Sequence, residues 1–327
     1  MPTSSTFDHS NHSPTEIPPW SDPFGESEAL NDFDPSHPLI PTRQENYVFR
    51  PELLDDVLSY LREPNGEGLF LTGPRGSGKT SLITQIAARL NWPVQSVTCY
   101  QGFALSALLG PLSDAAREGH LLLIEEFDRM DPSAITVLHG ILDGQPVFTE
   151  HGELIRPHPR FRIIATGGLQ SSEQDRCEQT CAALDRFLII SVEYPKPAVE
   201  RQVLQAVVPS LSAEIISKMV AVASEMRLLF ARGNLSVTMS LHSLIRWARL
   251  VASSQSVSLA LEQALTARVE PPEREVIYCL VADLFAVSPD SVVSVSPRSQ
   301  WIPNVKAYDG DHVRRQVRHI RDRLTRG

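Results

Sequence analysis

A chain of 327 residues with net charge −9, 42% hydrophobic residues and four cysteines is long enough for two compact domains with separate cores. The acidic balance argues against a non-specific nucleic-acid binder, which needs a basic surface. Cysteines at 99, 177, 181 and 279 are too sparse for a disulfide scaffold, and Cys177 and Cys181 lack the second pair that a zinc site requires. No apolar run reaches the length of a membrane span. The opening residues, Met1-Pro-Thr-Ser-Ser-Thr-Phe-Asp8, carry neither the basic nor the apolar region of a secretory signal, so the expectation is a soluble, cytoplasmic protein.

Residues 1–44 hold eight prolines and seven acidic residues, with Arg43 the only basic one. Without apolar periodicity they read as a disordered acidic tail, either simply solvated or serving as a docking segment. From 45 to 195 helix and strand patterns alternate. Leu53, Leu54, Val57, Leu58 and Leu61 predict a first helix, and Gly68–Thr72 a buried strand. A helix over 79–90 follows, with Leu82, Ile83, Ile86 and Leu90 on one face. Further strands are predicted at 94–99, 121–124, 161–166 and 187–192, with helices at 104–118 and 132–142. Apolar strands separated by helices indicate an α/β fold whose parallel sheet is doubly wound. Pro195-Lys196-Pro197 interrupts this pattern, and 196–287 reads as a helical domain. The remainder, 288–327, ends in a basic amphipathic helix. Val313, Val317, Ile320 and Leu324 lie opposite Arg314, Arg315, Arg318, Arg321 and Arg323, a pattern that packs on its own protein or meets a partner or anionic surface.

Gly73-Pro74-Arg75-Gly76-Ser77-Gly78-Lys79-Thr80 spells G-x-x-x-x-G-K-[ST] between a predicted strand and a predicted helix, the context that a phosphate-binding loop needs. Curled backbone N–H groups and the helix N-terminus, through Ser81, offer fixed positive dipoles to phosphate oxygens. Lys79 would reach the β/γ-phosphates of a nucleoside triphosphate, and Thr80 would give its hydroxyl to Mg²⁺. Leu121-Leu122-Leu123-Ile124-Glu125-Glu126 places two carboxylates at the end of a buried strand, the edge where open α/β sheets bind ligands. Glu125 would serve the metal's shell and Glu126 the attacking water.

These residues also carry a resemblance. The stretch Gly110–Arg129, together with Ala88–Pro93, Arg156–Thr166, Leu184-Asp185-Arg186-Phe187 and Thr238-Met239-Ser240, resembles the MoxR-type AAA+ ATPases. Among these it is most similar to the ATPase subunit of cobalt chelatase (CobS-like). The resemblance covers about residues 45–286. It implies an AAA+ P-loop NTPase fold with a helical lid, assembled as a ring, commonly a hexamer, with ATP and Mg²⁺ between subunits. Arg186 then resembles the arginine finger delivered to a neighbour's γ-phosphate, and Tyr47 and Phe49 border the adenine.

Several positions depart from the family pattern. Glu125 stands where aspartate is usual, and Gly168 replaces the sensor asparagine, with Thr166 the nearest polar substitute. His242 replaces the lid arginine, and no hairpin interrupts the helices near Ala107–Leu112. Three readings follow. The first is an ATP-hydrolysing ring that remodels or activates a partner protein, or inserts a metal or cofactor into it. A von Willebrand factor A-domain protein would be its typical partner. The second is a nucleotide-binding scaffold with weak or no turnover, and the third is the chelatase subunit itself.

Overall fold

The computed structural model describes residues 24, 33–103, 105–149, 152–168, 184–254 and 256–285. Most of the expected tail, Cys177 and Cys181, and the basic helix of 288–327 lie outside the described residues. In chain order the elements are α1 (Pro51–Arg62), β1 (Gly68–Thr72), α2 (Lys79–Arg89), β2 (Val94–Thr98), α3 (Leu105–Glu118), β3 (Leu121–Glu125), a 3₁₀ turn (Phe127–Arg129) and α4 (Pro132–Leu142). Then come β4 (Val147–Phe148), β5 (Leu154–Ile155), β6 (Arg162–Gly167) and β7 (Phe187–Ser191). The helical part comprises α5 (Pro197–Val207), α6 (Ala213–Ala231), α7 (Leu241–Ser254), α8 (Val257–Ala264) and α9 (Pro271–Phe285).

Five parallel strands form one sheet in the order β2-β3-β6-β1-β7. The central strands are apolar on both faces because both faces are covered. Leu69, Leu71, Leu121, Leu123 and Ile164 pack with α1 and α2 on one side. The alternate residues Phe70, Leu122, Ile124, Ile163 and Ala165 pack with α3 and α4 on the other. This period of two within unbroken apolar runs is what a doubly wound parallel sheet requires. Each leucine, isoleucine or phenylalanine among them, fully buried, contributes about 1.5–3 kcal/mol of transfer free energy. The register aligns Glu125 with Thr166 and Gly167 with Thr72, so the C-terminal ends of β1, β3 and β6 converge.

Two features differ from expectation. The acidic tail does not extend to residue 44. Phe33 packs against Trp92 and His120 at ring-centroid distances of 6.4 and 5.8 Å. Val94 N donates to Leu39 O (2.9 Å), and the Gln85 side chain bonds Gln44 N (2.8 Å) and Thr42 O (3.0 Å). Composition averaged over the segment hides these anchors, so residues 33–44 belong to the α/β unit. The second feature is an antiparallel hairpin, β4–β5, between α4 and β6, which the sequence reading passed over. As expected, no hairpin interrupts α3, which runs unbroken through Pro111.

The helical part encloses its own core around Leu204, Met219, Met226, Trp247 and Ile277. Serines start three of its helices: Ser212 accepts from Ile215 N (3.3 Å), Ser240 from Ser243 N (3.0 Å) and Ser256 from Leu259 N (3.3 Å), which satisfies otherwise orphaned amides. Glu200 is wholly buried, and its carboxylate accepts from Arg227 at 2.7 Å. Removing one partner of such a pair strands a charge in a low-dielectric interior. Arg227→Met should therefore lower unfolding free energy by about 3–5 kcal/mol, as measured by chemical denaturation. A loss below about 1 kcal/mol would show that the Glu200 carboxylate does not depend on Arg227 for its stability in the interior.

Candidate functional site

The loop after β1 is built by its glycines. Gly73, Gly76 and Gly78 have φ of 141°, 71° and 98°, values that a side-chain-bearing residue rarely adopts. A Cβ on Gly73 would also lie 2.4 Å from Val192 O. The curl lets α2 begin at Lys79, with Gly78 as its left-handed cap. Lys79 Nζ donates to the carbonyls of Gly73 (2.8 Å) and Pro74 (3.0 Å). Burial pulls its ammonium below the ordinary lysine value, countered in part by Glu126 and Asp128. Ser77 is buried, and its hydroxyl has no hydrogen-bond partner among the described residues.

The carboxylates sit opposite. Thr80 Oγ1 donates to Glu125 Oε2 at 2.9 Å, and Ser96 Oγ to Glu125 Oε1 at 3.3 Å. The extra methylene of glutamate thus still reaches the Thr80 hydroxyl. Glu126 begins the 3₁₀ turn with φ 54° and ψ 43°, a left-handed conformation that costs a non-glycine residue about 1–2 kcal/mol. Its carboxylate pairs with Arg75 (2.9 Å) and Arg129 (3.3 Å). At the sensor position, Gly168 donates its backbone N–H to Asp128 Oδ1 at 3.3 Å, and Thr166 lines the cleft nearby.

The lid closes over this edge to form a cleft of about 1570 Å³. One wall is the phosphate loop, including Ser81, with Glu125, Glu126 and Asp128; the other includes Val199, Val203, Ile245 and His242. Approach is close: a Cβ on Gly76 would lie 2.7 Å from Ser240 Cβ and 3.7 Å from His242 Cβ. His242 is exposed at the start of α7, and its Nε2 lies 3.1 Å from Arg246 Nη2. One further turn along, Arg249 also lines the cleft.

Tyr47 lines the cleft, and burial pushes its phenol up to about 12. Phe49 does not. It packs on Tyr47 (4.7 Å) and Phe24 (5.6 Å), beneath the Arg89 guanidinium at 4.6 Å, so its expected place beside the base is corrected. Arg186 is also apart from the cleft. Its carbonyl accepts from Gly68 N at 2.9 Å, at the start of β1, which puts it on the sheet edge opposite the phosphate loop. Arg186 Nε pairs with Asp143 at 2.8 Å, a bond that raises the arginine's pKa and lowers the aspartate's.

Sequence reasoning missed Asp128, Arg50 and Tyr194, all of which line the cleft. Arg50 ties the linker after β7 to the loop, donating to Glu193 O (2.7 Å) and Ser77 O (3.2 Å). Tyr194 OH donates to Arg75 O at 3.0 Å. Asp128 carried a usable signal, since it stands three positions past Glu125 in a turn leaving the strand. The other two lie in connectors without periodicity.

Two family models match the chain. Residues 68–187 match the AAA domain (dynein-related subfamily), and residues 200–280 match the CbbQ/NirQ/NorQ C-terminal family. The aerobic cobaltochelatase subunit CobS of Sinorhizobium sp. is 26% identical over 272 residues, covering 73% of this chain and 80% of that protein. Protein CbbQ of Hydrogenophilus thermoluteolus is 26% identical over 238 residues, covering 67% and 87%. Among solved structures, a RuvB mutant of Thermotoga maritima overlays with a TM-score of 0.46 and 16% identity, covering 77% of this chain and 88% of that one. No helix among the described residues is long and apolar enough to cross a membrane. With an AAA domain followed by a CbbQ-type C-terminal domain, and relatives in both CobS and CbbQ, the chain belongs to the MoxR-type AAA+ ATPases.

Proposed function

We propose that this chain binds ATP with Mg²⁺ in the cleft and hydrolyses it as one subunit of a ring that remodels or activates a partner protein. The observation that carries the reading is the meeting of Lys79, Thr80, Glu125 and Glu126 at one strand edge. Backbone amides of residues 73–81 would cradle the phosphates, and Lys79 would swing from its two carbonyl partners onto the β/γ oxygens. Tyr47 and Val48, with Val199, Val203 and Ile245 across the cleft, provide apolar walls for a base. Thr80 hydroxyl and Glu125 carboxylate, 2.9 Å apart, form an all-oxygen pair that suits a hard divalent cation. That ion would neutralise charge on the phosphate oxygens. Glu126 would orient and deprotonate the attacking water.

Arg186 cannot serve its own subunit's phosphates from the opposite sheet edge. A ring would bring it to a neighbour's site, where a guanidinium stabilises charge developing in the transition state. Mixing wild-type protein with increasing amounts of Arg186→Ala should depress turnover of the mixture, while the variant alone retains ATP binding. Mass photometry with and without ATP would follow ring formation in the same samples. Activity falling only in proportion to the wild-type fraction, with no assembly at any ATP concentration, would refute the shared site.

A second reading, a nucleotide-binding scaffold with weak or no turnover, is favoured by Gly168 and His242 at the two sensor positions. In that case ATP acts by stabilising one lid geometry and one assembly state. The likeness to a cobaltochelatase subunit makes metal insertion into a partner a specific form of the first reading, and an A-domain protein the partner to test.

A further inference from the structure

We propose that Arg75 is a positioning residue that restrains Glu126 and makes the restraint answer to the lid through Tyr194. The inference rests on the reading that Glu126 acts on the attacking water. Three observations converge on it. One oxygen of Glu126, Oε2, accepts from Arg75 Nη2 (2.9 Å) and is ion-paired with Arg129 Nε (3.3 Å). A carboxylate oxygen engaged by two guanidinium groups has its lone pairs directed at them and away from water. The backbone beneath it is left-handed, a conformation that persists only where the surroundings hold it.

The third observation links this pair to the lid. Arg75 lies in the phosphate loop, yet its carbonyl accepts from Tyr194 OH at 3.0 Å, and Tyr194 stands in the linker between β7 and α5. The Tyr194 ring lies beneath the Arg227 guanidinium at 4.3 Å. Arg227 is anchored within the lid, donating to Glu200 Oε1 (2.7 Å) and to Met239 O (2.8 Å). A continuous set of contacts therefore runs from the lid core to the loop backbone and on to the carboxylate. Rotation of the lid about the linker would move Tyr194 with Arg227, pull on the Arg75 carbonyl and loosen the guanidinium from Glu126. In the geometry described, with the lid against Gly76, the restraint is engaged.

Arg75 is 74% exposed at its side chain and Glu126 36%, so solvent screens the pair and the effect is modest. Removing it should raise kcat by about two- to five-fold, the range that an exposed ion pair commands. Steady-state ATP hydrolysis by the full-length protein would be measured for wild type, Arg75→Ala, Arg75→Lys, Tyr194→Phe and the Arg75→Ala/Tyr194→Phe double variant, with ATP affinity determined separately. The expected result is a higher kcat for Arg75→Ala with unchanged KM and affinity, and a rate nearer wild type for Arg75→Lys. Tyr194→Phe should also raise kcat, and the double variant should go no further than Arg75→Ala, because both act through one contact. A kcat that is unchanged or lower in Arg75→Ala, or a rise matched by lost affinity, would overturn the restraint. Multiplicative effects in the double variant would overturn the link to the lid. Wild-type turnover that Glu126→Gln abolishes and Arg75→Ala leaves untouched would sink this inference alone. ATP binding without hydrolysis in wild type and every Arg75 or Tyr194 variant would remove the hydrolytic reading, and this proposal with it.

Discussion

Replacing Lys79 with alanine should raise the Kd for ATP by at least about 100-fold, equivalent to about 2.7 kcal/mol. The ammonium sits among the loop's carbonyls, 2.8 Å from Gly73 O and 3.0 Å from Pro74 O. Hydrogen bonds to charged groups contribute about 1.5–3 kcal/mol each, and a lysine bridging two phosphates makes more than one. The fold should tolerate the change. Gly73 and Pro74 line the solvent-filled cleft, where water can replace the lost donor, and the loop's positive φ angles are set by its glycines. Titration with a fluorescent ATP analogue, with thermal unfolding as a control, reads both effects. An affinity within about three-fold of wild type would mean that the loop does not hold phosphates in the assigned manner.

Glu126→Gln should lower kcat by about 10²–10³, within the range that a positioned general base supplies, while ATP affinity stays within about three-fold. The amide keeps the shape of the side chain and can still accept a hydrogen bond from Arg75, but it cannot take a proton from water. Glu125 is the contrasting case. It bonds the Thr80 hydroxyl, so its loss should weaken the magnesium dependence of binding. Rapid-quench or coupled phosphate release, with nucleotide affinity measured in parallel, separates the two carboxylates. Equal losses of kcat and affinity in Glu126→Gln would assign Glu126 to binding instead.

The features legible in the sequence were those whose spacing dictates backbone geometry. Gly73, Gly76 and Gly78 announce positive φ angles, and Leu121–Glu125 announces a strand buried on both faces that ends in acid. The five strands followed from short apolar runs and the helical second domain from apolar stripes, while its place as a lid came from the resemblance. Elements without periodicity were lost. A two-residue strand such as Val147–Phe148 offers no alternation to detect, and the docked stretch around Phe33 and Leu39 was averaged into an acidic tail. Long-range pairs were equally invisible. Arg75 and Glu126 are 51 residues apart and Arg186 and Asp143 are 43 apart. Only the converging edges of β1 and β3 and the end of α4 bring them together. Phe49 shows the converse error. The resemblance set both Tyr47 and Phe49 beside the adenine, but Phe49 is held away by Phe24 and the Arg89 guanidinium, which nothing in the local sequence announces, while Tyr47 lines the cleft.

The most direct test is steady-state phosphate release by the purified full-length protein with ATP and Mg²⁺, beside Lys79→Ala and Glu126→Gln. Release that saturates with ATP, and disappears in both variants while Glu126→Gln still binds nucleotide, is the predicted result. Tight ATP binding by the wild type, without release above the Glu126→Gln level, would contradict the hydrolytic account and leave a nucleotide-gated scaffold in its place.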